Sequence, residues 1–183
     1  MTANSQPKGL PSFDPQGTES IQEIPARFLI DGLLTLRADG VWMSKGEKIR
    51  HMGLSKFLAR QLRRTEEGEY WVVNGPQRAW VNVEDAPFVV KRVLFDGEQI
   101  ESSAMTAILN DDSEESLLAE RLFMNEEGVL YTRVKKGEAG AHDDEDHLAR
   151  VSSEALLDIE TLFVEMEDES IGIQHQGKVH RLG

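Results

Sequence analysis

Pro87 constrains this chain more than any other residue. It sits in Val83-Glu84-Asp85-Ala86-Pro87-Phe88, between the apolar run Trp80–Val83 and the apolar run Phe88–Val90. A proline has no backbone N–H to give to a sheet ladder, so one strand ends here and another begins. That predicts a domain junction near the middle of the 183 residues. The charge distribution changes at the same place. Residues 1–87 carry eleven Lys/Arg and eleven Asp/Glu, whereas 88–183 carry nine and twenty-two. The second half therefore holds the whole net charge of -13.

An acidic half of this size repels phosphate backbones and anionic lipid, which argues against duplex DNA and membrane surfaces as partners. The chain has no cysteine, which excludes disulfides, thiolate metal sites and cysteine nucleophiles. No apolar run reaches membrane-spanning length and the first residues lack a signal-peptide pattern, so the expected location is cytoplasmic.

Residues 1–20, rich in Ser, Pro, Gly and Gln, read as a disordered tail. Leu33–Leu36 and Val41–Met43 flank Ala38-Asp39-Gly40, and an Asp-Gly between β-prone runs predicts a hairpin. Leu54, Phe57, Leu58 and Leu62 recur at helical spacing over His51–Arg64. Tyr70–Val73 and Trp80–Val83 then read as strands around Asn74-Gly75-Pro76. After the junction, Phe88–Phe95 and Gln99–Leu109 are expected strands around Asp96-Gly97, with Asn110–Glu115 an acidic loop. Leu122–Met124 and Val129–Val134 follow, then an exposed loop over 135–147. Ser152 or Ser153 caps a second helix running to about Met166, and Gln176-Gly177 turns a last hairpin. The expected fold is α+β: two small domains, 21–87 and 88–183, each of hairpin-helix-hairpin order with antiparallel sheets. The repeated order points to an internal duplication.

Several of these landmarks together resemble the bacterial domain-of-unknown-function family 1285. The matching pieces are Asp39-Gly40-Val41-Trp42 with Gly46 and Ile49, then Leu62-Arg63-Arg64 with Gly68-Glu69-Tyr70, and above all Val83–Phe88. Leu148-Ala149-Arg150 and the closing Gly172-Ile173, Gly177 and Leu182-Gly183 are weaker echoes. The resemblance implies a duplicated α+β core whose C-terminal half is superficially pleckstrin-homology-like. It also implies a small-ligand site at the inter-domain interface, for a nucleotide-like molecule, and a role in signalling. No catalytic residue comes with it.

Glu84 and Asp85 are adjacent, so on a strand they point to opposite faces and cannot act as a facing acid/base pair. They read either as hydrogen-bonding the backbone at the junction or as polar contacts to a ligand. Phe88 reads as an interface anchor or as an apolar contact. Residues 45–64 hold seven Lys/Arg against one acid, Glu47. Lys56, Arg60, Arg63 and Arg64 would share the polar face of the first helix, open to solvent, docked on the acidic half, or pairing with an oxyanion. His142-Asp143-Asp144-Glu145-Asp146-His147 has suitable ligand types but no zinc or EF-hand spacing, and Asn110–Glu115 lacks the glycine of a calcium loop. No metal site is expected, and no motif names a cofactor. Trp42, Trp71 and Trp80 lie on expected strands and read as packing residues.

The function expected from this is a non-enzymatic small-ligand-binding or signalling module. Arg63 and Arg64 would meet an anionic group, Glu84 and Asp85 would make polar contacts, and Phe88 an apolar one. The alternatives are a protein-interaction adaptor that uses the acidic half, and a metal-assisted hydrolase using Asp85 or the His-Asp run.

Overall fold

Two six-stranded sheets meet at the proline junction, and a three-stranded sheet packs on the second. The structure is a computed structural model and describes residues 34–65, 67–74, 77–134 and 147–183. The tail over 1–20 and the run from His142 to Asp146 lie outside the described residues.

The first sheet is built from β1 (Leu34–Leu36), β2 (Trp42–Ser44), β3 (Glu47–Lys48), β4 (Leu62–Arg64), β5 (Tyr70–Asn74) and β6 (Gln77–Val83). They lie in the order β3-β2-β1-β6-β5-β4. One helix, α1 (Met52–Arg60), buries Leu54, Leu58 and Ala59 in the core cluster of this half with Leu34, Leu36, Trp42 and Val72. The His51 imidazole caps it, Nδ1 accepting from the Leu54 amide at 3.0 Å, which satisfies one of the helix's orphan donors.

The helix is shorter than the spacing of its leucines predicts. It stops at Arg60, and Leu62, Arg63 and Arg64 belong to edge strand β4, paired with Val72, Trp71 and Tyr70. Leu62 is buried either way, so the apolar period alone does not distinguish a last helical turn from a strand facing the same core. What decides is the backbone: β5 offers a free edge, and Val73 donates to the Gln61 carbonyl at 2.9 Å.

The second sheet takes β7 (Phe88–Asp96), β8 (Ala104–Leu109), β9 (Glu114–Leu117), β10 (Phe123–Met124), β11 (Leu130–Val134) and β12 (His147–Val151), in the order β10-β11-β12-β7-β8-β9. Both large sheets are mixed rather than antiparallel. In the first, β1 pairs with β6 in parallel, and in the second β7 pairs with β12 in parallel. In each, the first and last strands of a six-strand run close on one another at the centre, with a three-strand meander on either side. A hairpin cannot make such a pair, because parallel neighbours need a long connection. Hairpin chemistry in the sequence therefore carries no sign of it.

The order hairpin-helix-hairpin does not hold in the second half. There α2 (Ser153–Ile159) follows all six strands, and a 3-10 turn (Glu160–Leu162) leads into β13 (Phe163–Glu165), β14 (Ile171–His175) and β15 (Lys178–Arg181). The expected acidic loop contributes Glu114 and Glu115 to β9, and the expected exposed loop ends in β12, where His147 is 2% exposed. Asp158 of α2 pins this helix to β7, accepting two hydrogen bonds from Arg92 (2.8 and 2.9 Å) and one from the Val93 amide (2.8 Å). The third sheet is tied in by His175, whose Nε2 lies 2.8 Å from the Ser103 carbonyl. A carbonyl only accepts, so Nε2 carries the proton.

The Asp39-Gly40 turn of the first sheet abuts the second. Gly40 has φ +78°, and a Cβ there would stand 3.0 Å from Val89 Cγ2. The left-handed backbone alone costs a side chain about 1–2 kcal/mol, and Val89 is buried and cannot retreat freely. Gly40→Ala is therefore expected to lower unfolding free energy by about 2 kcal/mol or somewhat more, read by urea denaturation. A loss under about 0.5 kcal/mol, the range of neutral surface changes, would show that the turn does not press on the second sheet.

Candidate functional site

The junction residues fold into two separate contacts between the halves. Asp85 accepts from the Tyr131 hydroxyl at 2.8 Å and from Arg150 Nη1 at 2.9 Å. Tyr131 and Arg150 are direct partners on β11 and β12, so both reach Asp85 from one face. Burial, reinforced by the bond to Asp85, raises the Tyr131 phenol above its ordinary pKa. Asp85 thus meets two side chains, where the sequence suggested backbone amides. Phe88 is 2% exposed and stands edge-on to the His147 ring at 5.5 Å. Tyr70 of β5 approaches the same imidazole at 6.2 Å, so His147 meets an aromatic of each large sheet. Glu84 is exposed; its amide donates to the Leu36 carbonyl at 3.0 Å.

Arg63 and Arg64 stand on β4, on opposite faces of the strand. Arg64 is the cross-strand partner of Tyr70 and shares its face. Arg63 turns back on the end of α1, its Nη1 donating to the Arg60 and Leu62 carbonyls at 2.8 Å each. Burial lowers the Arg63 pKa below its usual value. The five residues singled out in the sequence are therefore not gathered around one opening. Asp85 and Phe88 join the halves, Glu84 faces out, and the two arginines line different faces of an edge strand.

The basic run from 45 to 64 divides into parts with different work. Lys56 forms an ion pair with Asp112, and Arg60 Nε donates to the Asp111 carbonyl at 3.3 Å. This middle part of the run docks α1 on the turn between β8 and β9. Lys91 holds Asp112 from the other side at 2.7 Å, and Asn110 Oδ1 accepts from the Val89 amide at 3.2 Å. Burial pushes the Asp112 pKa up, but the bonds from Lys56 and Lys91 outweigh it and the net shift is downward.

A depressed carboxylate stabilises above its unfolded value, about 3.9, and the contribution is lost as pH falls through the folded value. The stability gap between the wild type and Asp112→Asn should accordingly hold steady from about pH 7 to about pH 5 and close below about pH 4. Denaturation across a pH series measures it; a gap unchanged at about pH 2 would mean that the ion pairs do not hold α1 on the turn.

The first part of the run lines an open cleft of about 900 Å³ at the head of α1, formed by Ser44, Lys45, Glu47, Lys48, Ile49, Arg50, His51 and Leu54. Lys45, Lys48 and Arg50 are exposed, and among the described residues none of the three forms an ion pair. The excess of base over acid was visible in the sequence. Its division into a cleft, a docking face and an edge strand was not, because that depends on where α1 stops. Among the described residues, no three His, Asp or Glu side chains converge to hold a metal ion.

This fold, a pair of mixed sheets with two short helices, is that of solved DUF1285 family structures. One, a DUF1285 family protein from Silicibacter pomeroyi DSS-3, is 19% identical with a TM-score of 0.60, over 83% of this chain and 80% of that one. Another, from Shewanella baltica OS155, is 15% identical with a TM-score of 0.50, over 66% of this chain and 84% of that one. The chain belongs to the family described as "Protein of unknown function (DUF2946)", whose model matches residues 19–182. No curated protein matches it in sequence. Among the described residues, no helix is long and apolar enough to cross a membrane.

Proposed function

We propose that this chain is a non-enzymatic binding module that takes a small anionic ligand in the cleft at the head of α1. The observation that carries this is the convergence of Lys45, Lys48 and Arg50 on one opening with a single acid, Glu47, among its lining residues. The N-terminal end of α1 adds its partial positive charge, as helix N-termini do.

Signalling follows from the other end of the same helix. Lys56 and Arg60 tie α1 to the second half, so a ligand that shifts its first turn also loads the contact with Asp111 and Asp112. On this reading Asp85 and Phe88 hold the halves in place and do not touch the ligand. The chain is then a duplicated pair of units, 21–87 and 88–183, working in the cytoplasm, the second pleckstrin-homology-like. The shared strand order of the two large sheets supports the duplication.

A thermal-shift panel of phosphate, pyrophosphate, citrate and adenosine monophosphate tests the reading. A ligand at a hundred times its Kd stabilises by about 2.7 kcal/mol, so at least one anion should raise the melting midpoint by several degrees. No response from any of the four, at millimolar concentration and low salt, would count against an anion site.

A further inference from the structure

We infer that the outer face of the first sheet is a second binding surface, shaped for a planar ring that carries an anionic group. This stands apart from the cleft at the head of α1 and does not depend on it. Strand register places Arg63, Trp71 and Trp80 side by side on β4, β5 and β6: Arg63 is the partner of Trp71, and Trp71 the partner of Trp80. Direct cross-strand partners project from the same face. Arg78 lies two residues before Trp80 on β6, hence also on that face, and it is exposed.

Burial identifies this face as the one turned from the core. Leu62, Val72, Ala79 and Val81, which alternate with these residues along the same strands, are at most 2% exposed. Arg63, Trp71 and Trp80 keep intermediate exposure. The packing role expected for all three tryptophans therefore fits Trp42, which is 2% exposed, better than it fits the other two.

The chemistry selects the occupant. Two neighbouring indoles offer flat π surface on which a second ring can stack. Guanidinium groups bind oxyanions in bidentate fashion. The Trp71 indole donates to Glu69 Oε2 at 3.3 Å, and Arg63 is held by two carbonyls, so both are set in position before a ligand arrives. An apolar partner segment would leave Arg63 and Arg78 without counter-charge. A long polyanion would meet the second half, which carries the whole net charge of -13. A small molecule with one ring and one anionic group answers both constraints.

Fluorescence of the full chain tests this, since Trp42 is buried and quenching by an added ring reports Trp71 and Trp80. Adenosine monophosphate should quench saturably, with adenosine and inorganic phosphate each binding at least tenfold more weakly. Excess pyrophosphate, which lacks a ring, should leave the quenching in place. Trp80→Leu should abolish binding measured by calorimetry, Trp80→Phe should keep it within about threefold, and Arg78→Gln should weaken it about tenfold, the effect of one lost contact. If Trp80→Leu fails to fold, the Trp80→Phe and Arg78→Gln pair decides. Absence of saturable quenching, equal binding of adenosine and the monophosphate, displacement by pyrophosphate, or unchanged affinity in Arg78→Gln would each overturn the proposal. So would a concentration-dependent dimer that Arg78→Gln dissolves, since a second copy would then occupy the face.

Discussion

Phe88→Ala is expected to cost about 3–5 kcal/mol, the range for truncating a buried phenylalanine. Phe88 is 2% exposed in the core cluster of the second half and opens β7, whose partner on the parallel side is β12. Removing the ring takes away the edge contact to His147 and leaves a void beside the imidazole that Tyr70 of the first sheet approaches. Against a typical total stability of about 5–15 kcal/mol, that is enough to bring the domain near its threshold. Urea denaturation should show the midpoint falling sharply with a cooperative transition retained. A change under about 1 kcal/mol would mean that the site collapses around the void, and that Phe88 is not the anchor of the junction.

Asp85→Ala should have the next largest effect, about 1.5–3 kcal/mol, the range for hydrogen bonds to a charged group. An exposed ion pair contributes only about 0–1 kcal/mol. Asp85 differs because its side chain is 21% exposed and binds both a buried tyrosine and Arg150. Alanine would strand the Tyr131 hydroxyl, and Tyr131 is 6% exposed. Tyr131→Phe removes the donor along with its need for a partner and should cost less. If the two substitutions proved equal and small, Asp85 would be an ordinary surface carboxylate, and the angle between the halves would be fixed by packing alone.

Features governed by local chemistry were legible in the sequence. Pro87 with its two carboxylates marks the passage from one sheet to the other, and Asp39-Gly40 makes the turn it promises, at φ +78°. The start of α1 was readable from its leucines. Its end was not, because Leu62 satisfies the same core from a strand. β9 was hidden because Glu114 and Glu115 look like loop residues, although a strand at a sheet edge can carry charges on its solvent side. The parallel closures β1–β6 and β7–β12 were unreadable for a different reason. They join residues 47 positions apart in the first sheet (Leu34 with Val81) and 61 in the second (Phe88 with Ala149), and no local pattern encodes a pairing at that range.

The surplus of base between 45 and 64 was legible in the sequence. Arg63 and Arg64 read as part of the basic face of a helix, and the structure places them on edge strand β4. The cleft is lined from Ser44 to Leu54, and apart from Leu54 these residues form a hairpin and loop that carry no periodic signal.

Calorimetric titration of the most stabilising ring-free anion of the panel, into the wild type and into Lys48→Gln with Arg50→Gln, tests the binding-module reading most directly. Both side chains are exposed, so the double variant should fold with its melting midpoint nearly unchanged. The reading predicts a single site in the wild type and an affinity at least tenfold weaker in the variant, since each charge-assisted contact contributes about 1.5–3 kcal/mol and tenfold is about 1.4 kcal/mol. An unchanged Kd in the folded variant would contradict it.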